Sequence, residues 1–163
     1  MKQMTTSKLG RSLIKHFEGL RLDAYRCAAG RLTIGWGHTA GVRPGQHINV
    51  AEAERLLTAD IAPIERLLNV LDLDLSQEQF DALVSWIFNL GRANFEHSTL
   101  LRRLMEGAPK EEVAAQMVRW TYADGRQLRG LMERRAVEAN TFLGRELYVV
   151  EDGRIRAKIV NTI

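Results

Sequence analysis

The sequence predicts an α+β fold that is mostly helical, and three observations support this prediction. Glycines break up short apolar segments in residues 25–47, which is typical of a small antiparallel sheet with tight turns. From Asn49 to about residue 144, apolar residues recur at helical spacing and capping patterns precede them. The tail then alternates around Asp152-Gly153, a two-residue turn signal, and predicts a C-terminal β-hairpin.

The first element is predicted to be an amphipathic helix over residues 8–20 that ends near Gly19. Its apolar positions recur three or four residues apart, at Leu9, Leu13, Ile14, Phe17 and Leu20. Short strand-like segments follow at 31–34, at Val42 and at 47–50, separated by glycines. These segments predict a small N-terminal sheet lobe.

A long helix is predicted to begin at Asn49 and to join the sheet lobe to a helical lobe. Asn49 and Glu52 have the spacing of a capping box. Pro63 is expected to kink or shorten this helix, because proline lacks a backbone N–H and crowds the carbonyl four residues earlier.

A second capping pattern, Ser76 with Gln79, opens a nearly all-apolar helix that stops at Gly91. A helix that is apolar on every face belongs in a core. Further helices are predicted over 98–106, 109–121 and 131–143.

Together these elements predict one domain across residues 1–163, the usual length of a single domain. Its two lobes are expected at about 8–60 and 61–144, followed by an appended tail at 145–163. The single cysteine, Cys27, excludes an intramolecular disulfide framework and a cysteine-rich zinc site.

Charge is distributed unevenly along the chain. Residues 1–48 carry eight Lys or Arg and two acids, residues 49–99 carry three and nine, and residues 100–145 carry nine and six. The ends of the domain can therefore present a basic face, which suits an acidic polymer. Nucleic acid, anionic lipid and an anionic cell-wall glycan all fit this class of partner.

The most informative segment places Glu18 at a predicted helix end, followed by the glycine-rich sheet. It resembles the phage-type lysozymes, or endolysins, which cleave the glycan chains of peptidoglycan. Their signature is a Glu, then an Asp or Cys after eight intervening residues, then a Thr after five more. In this sequence those positions are Glu18, Cys27 and Thr33.

The resemblance extends from about residue 8 to residue 143 through several motifs in the same order. They are Thr-Ile-Gly-Trp-Gly-His at 33–38, Ala-Glu-Arg-Leu-Leu at 53–57, Asp-Ala-Leu with Phe-Asn-Leu-Gly within 81–91, and Gly-Leu-Met-Glu-Arg-Arg at 130–135. The resemblance implies a lysozyme-like fold. It also implies hydrolysis of the β-1,4 bond between N-acetylmuramic acid and N-acetylglucosamine, leading to host cell lysis.

The resemblance also implies roles for the signature residues. Glu18 is expected to protonate the leaving oxygen, since glycosidic cleavage needs a general acid. Cys27 stands where Asp is more familiar, and three roles remain open: it positions a water, acts as a nucleophile when ionised, or is an inert thiol that contributes little. The Thr33 hydroxyl is expected to hold the attacking water.

Four further residues match supporting positions of the family. His38 and Asp60 are expected to form a structural pair, Arg134 to contact the catalytic Glu, and Asn89 to line the cleft. The histidines and Cys27 lack metal-ligand spacing, so we expect neither a metal nor a cofactor.

The expected partner is the glycan strand of peptidoglycan, and we expect the protein to act on it as a monomer. We expect no nucleic-acid partner and no stable membrane association. Met1–Ser7 is polar and no long apolar run follows. We therefore expect the protein to stay in the host cytoplasm until a holin permeabilises the membrane, and then to reach the periplasm and wall. A non-catalytic peptidoglycan-binding relative is the alternative, and a nucleic-acid-binding protein is a third hypothesis.

Overall fold

The computed structural model describes residues 2–151 and 154–159, and it confirms the predicted α+β class. Its helices in this range are α1 Lys8–Glu18, α2 Val50–Val70, α3 Gln77–Leu90, α4 Arg92–Glu96, α5 Thr99–Met105, α6 Lys110–Met117 and α7 Arg129–Leu143. Its strands form three antiparallel pairs: β1 Arg21–Arg26 with β2 Leu32–Gly35, β3 Tyr122–Ala123 with β4 Arg126–Gln127, and β5 Glu146–Glu151 with β6 Arg154–Ile159.

Helix α1 carries Glu18 as its last residue, and both of its ends have a clear cause. At the start, the Ser7 side chain accepts a hydrogen bond from the Gly10 N–H, as an N-cap residue does. At the end, Gly19 adopts φ 69°, a left-handed value that costs little without a Cβ. The helix therefore stops directly after Glu18.

Two polar contacts fix α1 against its neighbours. The Ser7 N–H donates to Asp81 Oδ1 of α3 at 2.9 Å. Arg11 donates to Glu54 Oε2 of α2 at 2.8 Å. Because α1 is held at both of these points, the position of its last residue is fixed as well.

The small sheet differs from its predicted outline. Strand β1 pairs with β2 through Tyr25 and Thr33, with an irregular register towards Arg21. Val42 is not in a strand, and the expected strand at 47–50 is reduced to a single bridge. The reason is that Asn49 caps α2, so the chain turns into a helix immediately after residue 48.

Helix α2 continues through Pro63, which neither shortens nor ends it. The lost backbone hydrogen bond is offset by the packing of the helix, since Leu57, Ile61 and Leu68 are almost completely buried. Both capping boxes that the sequence predicts, at the start of α2 and of α3, are present.

Helix α3 lies at the centre of the core and packs against α1, α2 and α7. Trp86 is fully buried on it, and its ring meets Phe95 and Trp120 edge to face at centroid distances of 6.2 and 5.3 Å. Its indole N–H donates to the Met117 carbonyl oxygen at 3.3 Å. Trp120 is therefore part of the aromatic cluster around Trp86.

Some elements of the C-terminal half were not predicted, namely the short helix α4 and the β3–β4 pair. Strands β5 and β6 of the predicted tail hairpin pair from Glu146 with Ile159 to Glu151 with Arg154, and the predicted turn residues 152 and 153 lie outside the described residues. Strand β5 packs against both α1 and α7. In the part of the chain that is described, no helix is long and apolar enough to span a bilayer.

Candidate active site

A carboxylate and a guanidinium from distant parts of the chain meet at the centre of the candidate site. Arg134 Nη1 of α7 donates to Glu18 Oε1 of α1 at 2.7 Å. The Arg134 side chain is 4% exposed, whereas that of Glu18 is 20% exposed. The buried arginine therefore fixes one oxygen of a carboxylate that solvent or a ligand can still reach.

The other oxygen of Glu18 faces the backbone of Gly37, just after β2. A Cβ placed on Gly37 would lie 2.6 Å from Glu18 Oε2, inside the contact distance of real atoms. Gly37 also has φ 74°, in the left-handed region. Close approach and backbone conformation thus both require glycine here, and the Glu18 carboxylate is held between Gly37 and Arg134.

Arg134 is itself oriented by two further groups. Its Nη2 donates to the Ser85 carbonyl oxygen of α3 at 3.2 Å. Its guanidinium carbon lies 5.4 Å from the ring centroid of Phe17, within cation–π range.

Behind Arg134 lies a buried polar cluster that sequence reasoning missed. Glu138 is fully buried and accepts a hydrogen bond from Ser85 Oγ at 2.6 Å. It also pairs with Arg135 at 2.6 Å, and Arg135 donates in turn to Asn89 Oδ1 at 2.9 Å. The spacing of Glu138, three and four residues after two arginines, is a helical ion-pair signal that was available in the sequence.

Cys27 directly follows β1, and Thr33 lies near the start of β2. The backbone groups of Arg31 and Ala29 lower the pKa of Cys27 most, burial opposes them, and the Thr33 side chain and the Arg31 charge add smaller lowering effects. Thr33 is 3% exposed and donates to the Arg31 carbonyl oxygen at 3.0 Å. The thiol is therefore more readily ionised than a free cysteine.

His38, in the loop after β2, is in contact with Asp60 of α2. His38 Nδ1 lies 2.8 Å from Asp60 Oδ2, and His38 Nε2 lies 2.8 Å from the Ala40 carbonyl oxygen. The pair ties the loop after β2 to the middle of α2.

A cleft of about 270 Å³ opens beside the loop after β2. Gly37, Asp60 and Phe88 are among its lining residues, which come from the loop after β2, from α2 and from the end of α3. The full lining is Gly37, Thr39, Ala40, Asp60, Ile64, Ile87, Phe88, Gly91 and Arg92. Glu18 is not one of these lining residues, but its Oε2 faces Gly37, which is.

The predicted site residues thus form three groups. Glu18 with Arg134 and Cys27 with Thr33 are the first two. His38 with Asp60 is the third. Asn89 is placed on α3 with its side-chain oxygen on Arg135, between cleft-lining neighbours 88 and 91. Within the described residues, no group of three or more metal-ligating side chains is found.

The comparisons with known proteins agree with this geometry. The family model described as "Phage lysozyme" matches residues 15–138. An endolysin of Acyrthosiphon pisum secondary endosymbiont phage 1 is 42% identical over 144 residues, which cover 85% of this chain and 98% of that protein.

The chain belongs to the phage lysozyme family.

Solved structures of similar proteins show the same fold. The muramidase domain of SpmX from Asticaccaulis excentricus is 42% identical with a TM-score of 0.78, and the match covers 85% of this chain and 97% of that one. An endolysin from Escherichia coli O157:H7 phage FAHEc1 is 34% identical with a TM-score of 0.77, covering 87% and 95% of the two chains. This phage-type lysozyme is therefore an endolysin, a glycoside hydrolase that acts on bacterial peptidoglycan, and nothing favours the non-catalytic alternative.

Proposed function

We propose that Glu18 is the general acid that protonates the leaving oxygen of the β-1,4 bond between N-acetylmuramic acid and N-acetylglucosamine. The observation that carries this proposal is the Arg134–Glu18 contact of 2.7 Å beside Gly37, which lines the cleft. A strand of peptidoglycan lying in the cleft would pass beside Gly37, and so beside the carboxylate. Leaving-group protonation by a positioned acid contributes roughly 10²–10⁴-fold in such reactions.

Arg134 and Gly37 would keep this acid in one orientation. The Arg134 side chain is buried, and its guanidinium donates a charge-assisted hydrogen bond to Glu18 Oε1 in a fixed direction. Gly37 leaves room for Oε2 on the other side. The acid then needs little reorganisation when the substrate arrives, which is how a fixed site lowers the activation barrier.

Cys27 and Thr33 would prepare the attacking water. The lowered pKa of Cys27 increases the thiolate fraction near neutral pH, and a thiolate can orient a water or accept its proton. The Thr33 hydroxyl, beside the Arg31 carbonyl, offers a second fixed oxygen. Every group in this mechanism comes from one chain, so we propose that the enzyme acts as a monomer and without a cofactor.

Substitutions at Cys27 test this part of the mechanism. Cys27→Asp is expected to keep activity within about 10-fold, because a carboxylate performs the same task. It should also extend activity to lower pH, since a carboxyl ionises near pH ~3.9 and a free thiol only near ~8.5. Cys27→Ala is expected to be weaker at every pH. Initial rates of turbidity loss on permeabilised bacteria, measured between pH 4 and 9, give these profiles.

Circular dichroism of the three proteins controls for folding. Equal rates for wild type and Cys27→Ala across the pH range would mean that Cys27 is an inert thiol and that only Thr33 prepares the attacking water.

We further propose that the folded enzyme remains in the host cytoplasm until a holin-type pore permeabilises the membrane, and then reaches the periplasm and the wall. Leu13 and Ile14 of α1 are completely buried in the core, and the same helix ends in Glu18. The active fold therefore uses α1 as a core helix, with its apolar face against protein. Such a fold forms before transfer and needs a separate opening to reach the glycan.

Expression of the chain in a Gram-negative host without a holin tests this delivery route. The culture should keep growing until chloroform is added and should then clear within minutes. The Glu18→Gln variant, expressed to the same level, is the control for lysis by chloroform alone. Clearing before chloroform, with the enzyme found in the periplasmic fraction, would contradict the proposal.

A further inference from the structure

Among the buried charged groups that the proposed mechanism leaves without a task, Glu138 lies nearest to Arg134 in the fold. Glu138 is 0% exposed and lies on α7, one turn after Arg134. Its oxygens meet Ser85 Oγ at 2.6 Å, Arg135 Nε at 2.6 Å and Arg134 Nε at 3.5 Å. Removing a carboxylate from water is costly, so a buried one needs compensating partners. Glu138 has three.

The guanidinium of Arg134 is shared among three elements. Its Nη1 donates to Glu18 of α1, and its Nη2 donates to the carbonyl oxygen and the hydroxyl of Ser85 in α3 at 3.2 and 3.4 Å. Its Nε makes no hydrogen bond and lies 3.5 Å from Glu138 Oε2 on its own helix, an ion-pair distance. Because a guanidinium is planar and rigid, the hydrogen bonds of Nη2 and the attraction of Nε to Glu138 restrict where Nη1 lies. The contacts of Arg134 with Ser85 and Glu138 thus influence the direction of the Arg134–Glu18 hydrogen bond.

Glu138 lies beside two guanidinium groups, those of Arg134 and Arg135. Burial raises the pKa of Glu138, and the charges of the two arginines oppose that shift. In its ionised form Glu138 compensates their positive charge. Among the side chains described around Glu138, α3 contributes the neutral Ser85, α1 contributes Glu18 on the far side of Arg134, and the first-turn acids of α6, Glu111 and Glu112, are exposed. Without Glu138, two adjacent buried arginines would face Glu18 as the nearest counter-charge.

We propose that Glu138, together with Ser85, is a positioning residue of the glycosidase reaction: it holds the Arg134 guanidinium in place and compensates its charge, so that Arg134 keeps Glu18 in one orientation. This inference rests on the proposed role of Glu18 as the acid. Ser85 links the two groups, since its hydroxyl donates to Glu138 and accepts from Arg134.

Kinetics of Glu138→Gln test the inference. The amide keeps the shape and removes the charge, so the rate per enzyme at saturating cell-wall substrate should fall at least about 10-fold. The alkaline limb of the pH–rate profile should move to lower pH, because the unbalanced charge of Arg134 favours an ionised carboxylate beside it. KM for purified peptidoglycan should change little. The matched control is Glu133→Gln, which breaks the exposed pair with Arg129 on the same helix and should leave both rate and profile unchanged.

A double variant separates positioning from simple charge compensation. Glu138→Gln with Arg135→Gln restores the balance of charge, so its melting temperature should recover relative to Glu138→Gln while its rate at saturating substrate stays low. Recovery of the wild-type rate and pH profile would overturn the inference, because Glu138 would then serve only to neutralise Arg135.

Ser85→Ala keeps the inference testable if the charge variants do not fold. It preserves every charge and removes the hydroxyl that joins Glu138 to Arg134. We expect its rate to be several-fold below that of the wild type and the alkaline limb of its pH–rate profile to lie at lower pH. An unchanged rate and limb in this variant would overturn the inference. Glu18→Gln is assayed in parallel: if it is active, the proposed acid is wrong, whereas if it is inactive and Ser85→Ala is normal, only the role of Glu138 and Ser85 fails.

Discussion

Glu18→Gln is expected to lower the rate of peptidoglycan cleavage at least about 100-fold while leaving the protein folded. The amide keeps the shape of the side chain and still accepts a hydrogen bond from Arg134, but it has no acidic proton for the leaving oxygen. Release of muropeptides from purified peptidoglycan, followed by mass analysis, measures the residual rate. Fragments from the wild type should end in reducing N-acetylmuramic acid.

The matched control is Glu106→Gln, which removes an exposed carboxylate that pairs with Arg103 far from the cleft. It should cleave at the wild-type rate, and its thermal transition should stay close to that of the wild type. Near-normal turnover by folded Glu18→Gln would show that another group supplies the proton.

Gly37→Ala is expected to produce the second largest loss of activity. The added methyl group would lie 2.6 Å from Glu18 Oε2, so the carboxylate must move away from Arg134 or the loop after β2 must shift. A displacement of about 1 Å at a catalytic group can cost about 100-fold in rate. The measurement is the same muropeptide assay, with kcat and KM determined separately; the loss should fall mainly on kcat.

Gly41→Ala is the control for backbone strain. Gly41 has φ 67°, close to the 74° of Gly37, but a Cβ there meets nothing within 4 Å. Both variants therefore carry the same left-handed strain of about 1 kcal/mol, and only Gly37→Ala also disturbs Glu18. Equal activity in the two variants would mean that the Gly37–Glu18 contact is unimportant for catalysis.

The predictable parts of the fold are those decided by local sequence. Capping boxes at Asn49 and Ser76, and glycines at helix ends such as Gly19, act over a few residues, so the starts of α2 and α3 and the end of α1 follow from the chain alone. Pro63 shows the opposite case. Its local tendency to break a helix is overcome by long-range burial of the apolar face of α2, which no local pattern reports.

The candidate site likewise has features that local sequence predicts and features that depend on long-range packing. The spacing of Glu18, Cys27 and Thr33 can be read directly, because β1 and β2 place those residues by short connections. The close approach of Gly37 to Glu18 and the burial of Glu138 depend on how α1, α3 and α7 pack in three dimensions. Residues 18 and 134 are 116 positions apart, and only the folded core makes them neighbours.

Burial of Arg134 separates two kinds of electrostatics in this enzyme. Mobile ions screen charges in water over about 10 Å at 0.1 M ionic strength, but they can approach the Arg134–Glu18 pair only from the side of Glu18, because the Arg134 side chain is 4% exposed. The excess of lysine and arginine in residues 1–48, of which Arg11 and Lys15 pair with Glu54, can attract an anionic polymer only through solvent. We therefore expect added salt to slow binding to the wall more than it slows cleavage of the glycosidic bond.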